Sequence, residues 1–111
     1  MTVNCSILKN WLYEKLVIDE CTNWTKKDIH VQSIGKFEYK ITLDGTAPFD
    51  WRLRWEYDEE YNEYFVSVME YYRGERWDSE YVHADLVKNE LNEGVYHDMM
   101  IYLGYHIANC F

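Results

Sequence analysis

Four histidines (His30, His83, His97, His106), three cysteines (Cys5, Cys21, Cys110) and four serines (Ser6, Ser33, Ser67, Ser79) are the groups suited to metal binding or nucleophilic attack. Their spacing selects neither chemistry. No His-x-x-x-His or Cys-x-x-Cys pair is present, so no metal-ligand set can be read. His97-Asp98, His106 and His83 can be drawn into one loose group, but they read as ordinary surface or core histidines of helices. No serine lies in a Gly-x-Ser-x-Gly turn, and no glycine-rich phosphate loop is present. With twenty carboxylates, some pair always stands at a glycosidase-like separation, so that pattern discriminates nothing. No catalytic, metal or cofactor-binding residue is assigned, and a protein without enzymatic activity is expected.

The carboxylates are informative as a field. The net charge of −9 is unevenly spread. Residues 1–43 hold six basic and five acidic side chains, whereas residues 44–98 hold five basic and fifteen acidic ones. Such a surface repels phosphates, so nucleic acid and anionic membranes are disfavoured as direct partners and a basic protein is favoured. The segment EYDEEYNEY, residues 56–64, sets Glu56, Asp58, Glu59, Glu60 and Glu63 among Tyr57, Tyr61 and Tyr64. Glu70, Glu75, Asp78 and Glu80 extend the negative run. Carboxylates spaced on a rigid sheet can imitate phosphates toward Arg and Lys, while tyrosine rings add contact area at low entropic cost.

Alternation positions these groups. Phe49, Trp51, Leu53, Trp55 and Tyr57 alternate with Asp50, Arg52, Arg54 and Glu56, and Tyr64, Val66, Val68 and Tyr72 share one face of the next run. Phe37, Tyr39, Ile41 and Leu43 make the strand before them. Pairing Leu43 with Phe49, Ile41 with Trp51, Tyr39 with Leu53 and Phe37 with Trp55 puts every apolar residue on one face. It also sets Glu38 opposite Arg54 and Lys36 opposite Glu56, although Lys40 meets Arg52. Across the acidic loop, Tyr57 pairs with Tyr64, Trp55 with Val66 and Leu53 with Val68. A tight turn at Arg73-Gly74-Glu75-Arg76 is expected to bring Tyr72 opposite Trp77 and Val68 opposite Tyr81. Residues 29–34 would add an edge strand.

Helices are expected at 6–18, capped by Ser6, at 85–91, ended by Gly94, and at 95–110, where Tyr96, Met99, Met100, Leu103, Ile107 and Cys110 form a stripe. The expected architecture is one compact α+β domain over residues 1–111. It has an N-terminal helix, a four- to five-stranded antiparallel meander sheet, and C-terminal helices packed on one sheet face. Phe65, Met69 and Tyr71 then fall on the other face, where they are either covered or a contact patch. The candidate partner-binding set is Glu56, Asp58, Glu59, Glu60, Tyr61, Glu63, Phe65, Met69, Glu70, Tyr71, Glu75, Asp78 and Glu80.

Three scattered cysteines read as buried free thiols of a reducing compartment. The N-terminal residues lack the pattern of a signal peptide, and no stretch is long and apolar enough to span a membrane, so a cytoplasmic location is expected. In general character the chain resembles two groups of proteins. One is the phage-encoded inhibitors of host defence nucleases, among them anti-CRISPR proteins and DNA mimics. The other is the immunity proteins that neutralise bacterial nuclease toxins. Both likenesses imply a non-enzymatic inhibitor of a basic, nucleic-acid-handling protein, and neither carries a matched motif. A small enzyme or ligand-binding domain walled by the aromatic sheet is the third reading, and it requires a deep Trp/Tyr-lined cavity with convergent polar groups.

Overall fold

The first helix, α1 (Cys5–Tyr13), begins where the Asn4 side chain accepts a 3.0 Å hydrogen bond from the Ile7 amide. Asn4, not Ser6, is therefore the cap, because its Oδ1 reaches the third amide of the helix. A π-helical segment, Glu14–Asp19, continues α1, closed by Glu20 N–H to the Lys15 carbonyl at 3.0 Å. Leu8, Leu12 and Leu16 have no exposed surface. Four-residue spacing drifts around an α-helix, and the wider π turn keeps Leu16 on the buried side.

In this computed structural model the described residues are 3–36, 38–61, 63–82 and 93–111, with backbone alone at 55–58, 63–65, 78–82, 93 and 95. The expected helix at 85–91, His83 and Phe37 lie outside them. Five antiparallel strands follow the π segment: β1 (Ile29–Gly35), β2 (Glu38–Leu43), β3 (Phe49–Asp58), β4 (Glu63–Tyr72) and β5 (Glu75–Val82). They lie in chain order, a meander with β1 as one edge. The β2–β3 register is the one expected: Glu38 opposite Arg54, Tyr39 opposite Leu53, Lys40 opposite Arg52, Ile41 opposite Trp51. The β3–β4 ladder likewise pairs Leu53 with Val68, Trp55 with Val66 and Tyr57 with Tyr64.

The β4–β5 register departs from expectation. Tyr72 pairs with Glu75 and Tyr71 with Arg76, and a bulge then leaves Trp77 unmatched before Glu70 meets Asp78. Val68 consequently faces Glu80, and Ser67 faces Tyr81. The two-residue turn is Arg73-Gly74, with φ of +52° and +80°. A primed turn needs positive φ at both central positions, and Arg73 adopts it although it carries a Cβ. The extra residue of the bulge turns Trp77 outward, 66% exposed.

The last helix, α2 (Glu93–Cys110), starts before Gly94 and includes it. Tyr96, Met99, Met100, Leu103 and Ile107 are buried as their spacing requires. They meet Leu8, Leu12 and Leu16 together with Ile29, Ile41, Trp51, Leu53, Val66 and Val68, so one core is enclosed between the helices and one sheet face. Cys110 departs from this stripe and is exposed, as is Cys21, while Cys5 is partly buried; all three are free thiols. Among the described residues no helix is long and apolar enough to cross a membrane.

Gly104 is the contact point of the two helical elements. A Cβ there would lie 2.8 Å from Lys15 Cγ and 3.0 Å from Lys15 Cβ. Gly104→Val is expected to cost about 1–3 kcal/mol by overpacking, read as a lower urea midpoint with an unchanged slope.

The segment before β1 is tied by a capping box. The Thr25 amide and hydroxyl donate to Asp28 Oδ2 at 2.8 and 3.1 Å. These bonds, the amide's first, hold the Asp28 carboxyl below its ordinary value, with lesser help from Asp44 and His30. A depressed folded pKa stabilises the fold fully above the unfolded value, and that contribution is lost as pH falls through the folded one. Urea midpoints should therefore drop on acidification below about pH 4, and Asp28→Asn should make that drop smaller.

Candidate functional site

The acidic loop is carried by the longest ladder of the sheet, unbroken from Phe49 opposite Tyr72 to Asp58 opposite Glu63. Ten successive pairs make this hairpin a rigid support for its own tip. At the tip Glu59, Glu60 and Tyr61 are all exposed, Tyr61 to 67%. No Lys or Arg occurs between Arg54 and Arg73. Asp58 and Glu63 occupy directly opposed positions, an arrangement of like charges that weakens a ladder. Glu56, opposite Phe65, is the next acidic position down the strand.

The rest of the expected contact set is not gathered with the tip. Glu75 is exposed, but it pairs with Tyr72 at the far end of β4, about 30 Å of strand from Glu63. Asp78 and Glu80 take positions opposite Glu70 and Val68, because the bulge at Trp77 reverses their expected parity. Glu70 lies on the helix side of the sheet. Its Oε1 accepts from the Trp51 indole N–H at 3.0 Å and lies 3.1 Å from His106 Nε2, beneath the last turns of α2. Strand parity with Val68 directs it there.

Of the two expectations for the open sheet face, cover is what Met69 shows, while the Phe65 side chain lies outside the described residues. Met69 is 3% exposed and Ser67 1% exposed, so no bare apolar patch exists at these positions. Met69 stands opposite Arg52, whose guanidinium lies 4.0 Å from the Tyr71 ring centre and whose Nε is 3.2 Å from Asp50 Oδ1. Arg54 pairs with Glu38 at 3.0 Å. The Arg52 guanidinium thus lies over the Tyr71 ring, and the charges of both arginines meet carboxylates. Tyr71 is half-buried in consequence. A run of rings lies elsewhere, with Trp77 and Phe111 exposed and Tyr72 and Phe49 half-buried between them, where Trp77 touches Tyr72, Tyr72 touches Phe49, and Phe49 touches Phe111, at centroid distances of 5.6, 5.0 and 5.1 Å. Sequence reading overlooked this run because the bulge that frees Trp77 has no composition signal.

A cleft of about 410 Å³ lies beside α2, lined by Thr22, Asn23, Trp24, Ala108 and Phe111. It is not the cavity an aromatic-sheet enzyme would need. Among the described residues none from the sheet lines it, the Trp24 indole N–H is given to the Asp44 carbonyl, and the Thr22 hydroxyl is given to the Leu16 carbonyl. Among the described residues no group of His, Cys, Asp and Glu is arranged to hold a metal ion. The chemistry offered by the described residues of the tip is electrostatic, an acidic point with the exposed phenol of Tyr61. No known protein family, curated protein or solved structure matches the chain.

Proposed function

We propose that the protein is a non-enzymatic, cytoplasmic inhibitor that binds a basic, nucleic-acid-handling protein, of the kind phages encode against host defence nucleases. The β3–β4 tip enters the groove that nucleic acid would otherwise fill. The observation that carries this reading is the tip itself, where Glu59, Glu60 and Tyr61 stand exposed on a ten-pair ladder within a run free of basic residues. Carboxylates there meet Arg and Lys with the charge, though not the shape, of a phosphate backbone. Opposed acids at Asp58 and Glu63 weaken the ladder locally, which is consistent with a charge kept for binding.

The reading is tested by immobilising the protein, passing a bacterial lysate over it, and challenging the bound fraction with duplex DNA. The expected result is a basic nucleic-acid-binding protein that DNA releases. Recovery of partners without nucleic-acid affinity, or retention of the partner in saturating DNA, would contradict it.

A further inference from the structure

The flank of α2 that meets β4 carries an arrangement the hairpin does not use. His106 Nε2 lies 3.1 Å from Glu70 Oε1, and His106 Nδ1 lies 3.7 Å from Sγ of Cys110, one turn further on. Since the two ring nitrogens sit on opposite sides of the imidazole, the groups run in line as carboxylate, imidazole and thiol. They do not converge on a point, as metal ligands would. Tyr102, one turn earlier, stacks on the His106 ring at 6.3 Å with planes 13° apart. The Trp51 indole N–H donates to the same Glu70 oxygen and holds that carboxylate in place. Glu70 and His106 are 13% and 29% exposed at the side chain, whereas Cys110 is exposed.

The line fixes which nitrogen carries the proton. A carboxylate can only accept, so neutral His106 keeps its proton on Nε2 and presents a bare Nδ1 to the thiol. Nucleophile, base and orienting acid are then in the order that activates a cysteine. The imidazolium formed on proton transfer faces Glu70 from β4, with Trp51 from β3 and Tyr102 from its own helix as neutral neighbours. It also sits near the C-terminal end of α2, where a cation is favoured.

We infer that Cys110 is an activated thiol that exchanges with low-molecular-weight disulfides, with His106 as its base and Glu70 as a positioning residue. His106 Nδ1 takes the Sγ proton, and the thiolate attacks one sulfur of the disulfide. A bond forms from Sγ to that sulfur as the old S–S bond breaks. The departing thiolate takes the electron pair, then the proton from His106. One disulfide replaces another and no further oxidant enters.

Cys21 is the internal control. It is exposed too, but its Sγ–H points to the Ile18 carbonyl at 3.7 Å, an acceptor that cannot take the proton. The whole chain is treated at pH 6.5 with the neutral probe bis(2-hydroxyethyl) disulfide, and adducts at each cysteine are followed over time by mass spectrometry. An ordinary thiol is only about 1% thiolate at that pH, so Cys110 is expected to react about tenfold faster than Cys21 or more. The advantage should narrow toward pH 9, where ordinary thiols ionise. His106→Gln should bring Cys110 down to the rate of Cys21 without altering Cys21, and Glu70→Gln should give an intermediate rate. Equal rates for Cys110 and Cys21 in the unaltered protein at pH 6.5 would overturn the inference. So would a Cys110 rate indifferent to His106→Gln in a variant with native circular dichroism.

Discussion

Trp51→Ala is expected to lower the unfolding free energy by about 3–5 kcal/mol. The side chain has no exposed surface and lies opposite Ile41, against the edge of the Phe111 ring at 5.6 Å. Truncation leaves a cavity between sheet and helix that rigid neighbours fill only in part. It also removes the indole N–H from Glu70, leaving a half-buried carboxylate with one donor fewer. Since small domains are stable by only about 5–15 kcal/mol, a large part of the total is at stake. Arg54→Ala is the matched control on the other face. Its ion pair with Glu38 is 41% and 23% exposed at the two side chains, so about 0–1 kcal/mol is expected. Urea melts of both variants check the facing of β3; equal losses would show it to be wrong.

The second large effect concerns binding. Replacing Asp58, Glu59 and Glu60 by Asn, Gln and Gln keeps side-chain shape and removes three charges from the tip. The neutral variant should fold with a urea midpoint at or above that of the native chain, because the opposed pair Asp58 and Glu63 no longer repels. Its affinity for the recovered basic partner should fall about tenfold or more, equivalent to about 1.4 kcal/mol. Most of that loss should lie in the association rate. It should shrink as salt rises, since the screening length is already about 8 Å at physiological ionic strength. Binding curves at two salt concentrations for both proteins measure it.

Much of the sheet is legible in the amino-acid sequence because two faces constrain one register. Tyr39 opposite Leu53 and Glu38 opposite Arg54 are compatible with a single alignment, and a slip of one residue breaks both. The β4–β5 register escaped because nothing in the local sequence marks the positive φ of Arg73 or the unmatched Trp77. Glu70 was legible by parity, lying between Val68 and Tyr72, yet residue type suggested a solvated acid. Its acceptor role depends on Trp51 and on His106, the latter thirty-six residues away. The four-residue spacing of His106 and Cys110 on a helix is compatible with their contact, but the carboxylate that aligns them is a tertiary fact. The burial of Met69 is tertiary as well, since its expected facing holds and only the cover over that face was unknown. For the tip, alternation marked where the strands end and the acids begin, and exposure at Glu59, Glu60 and Tyr61 agrees.

Competition for nucleic acid is the most direct test of the proposed role. The recovered partner is held on a fluorescent DNA duplex and titrated with the native protein and with the Asp58→Asn, Glu59→Gln, Glu60→Gln variant. Occupation of the same groove predicts full displacement of the duplex by the native protein, with about tenfold more of the neutral variant needed for the same release. A ternary complex of partner, DNA and native protein, or equal displacement by both proteins, would contradict it.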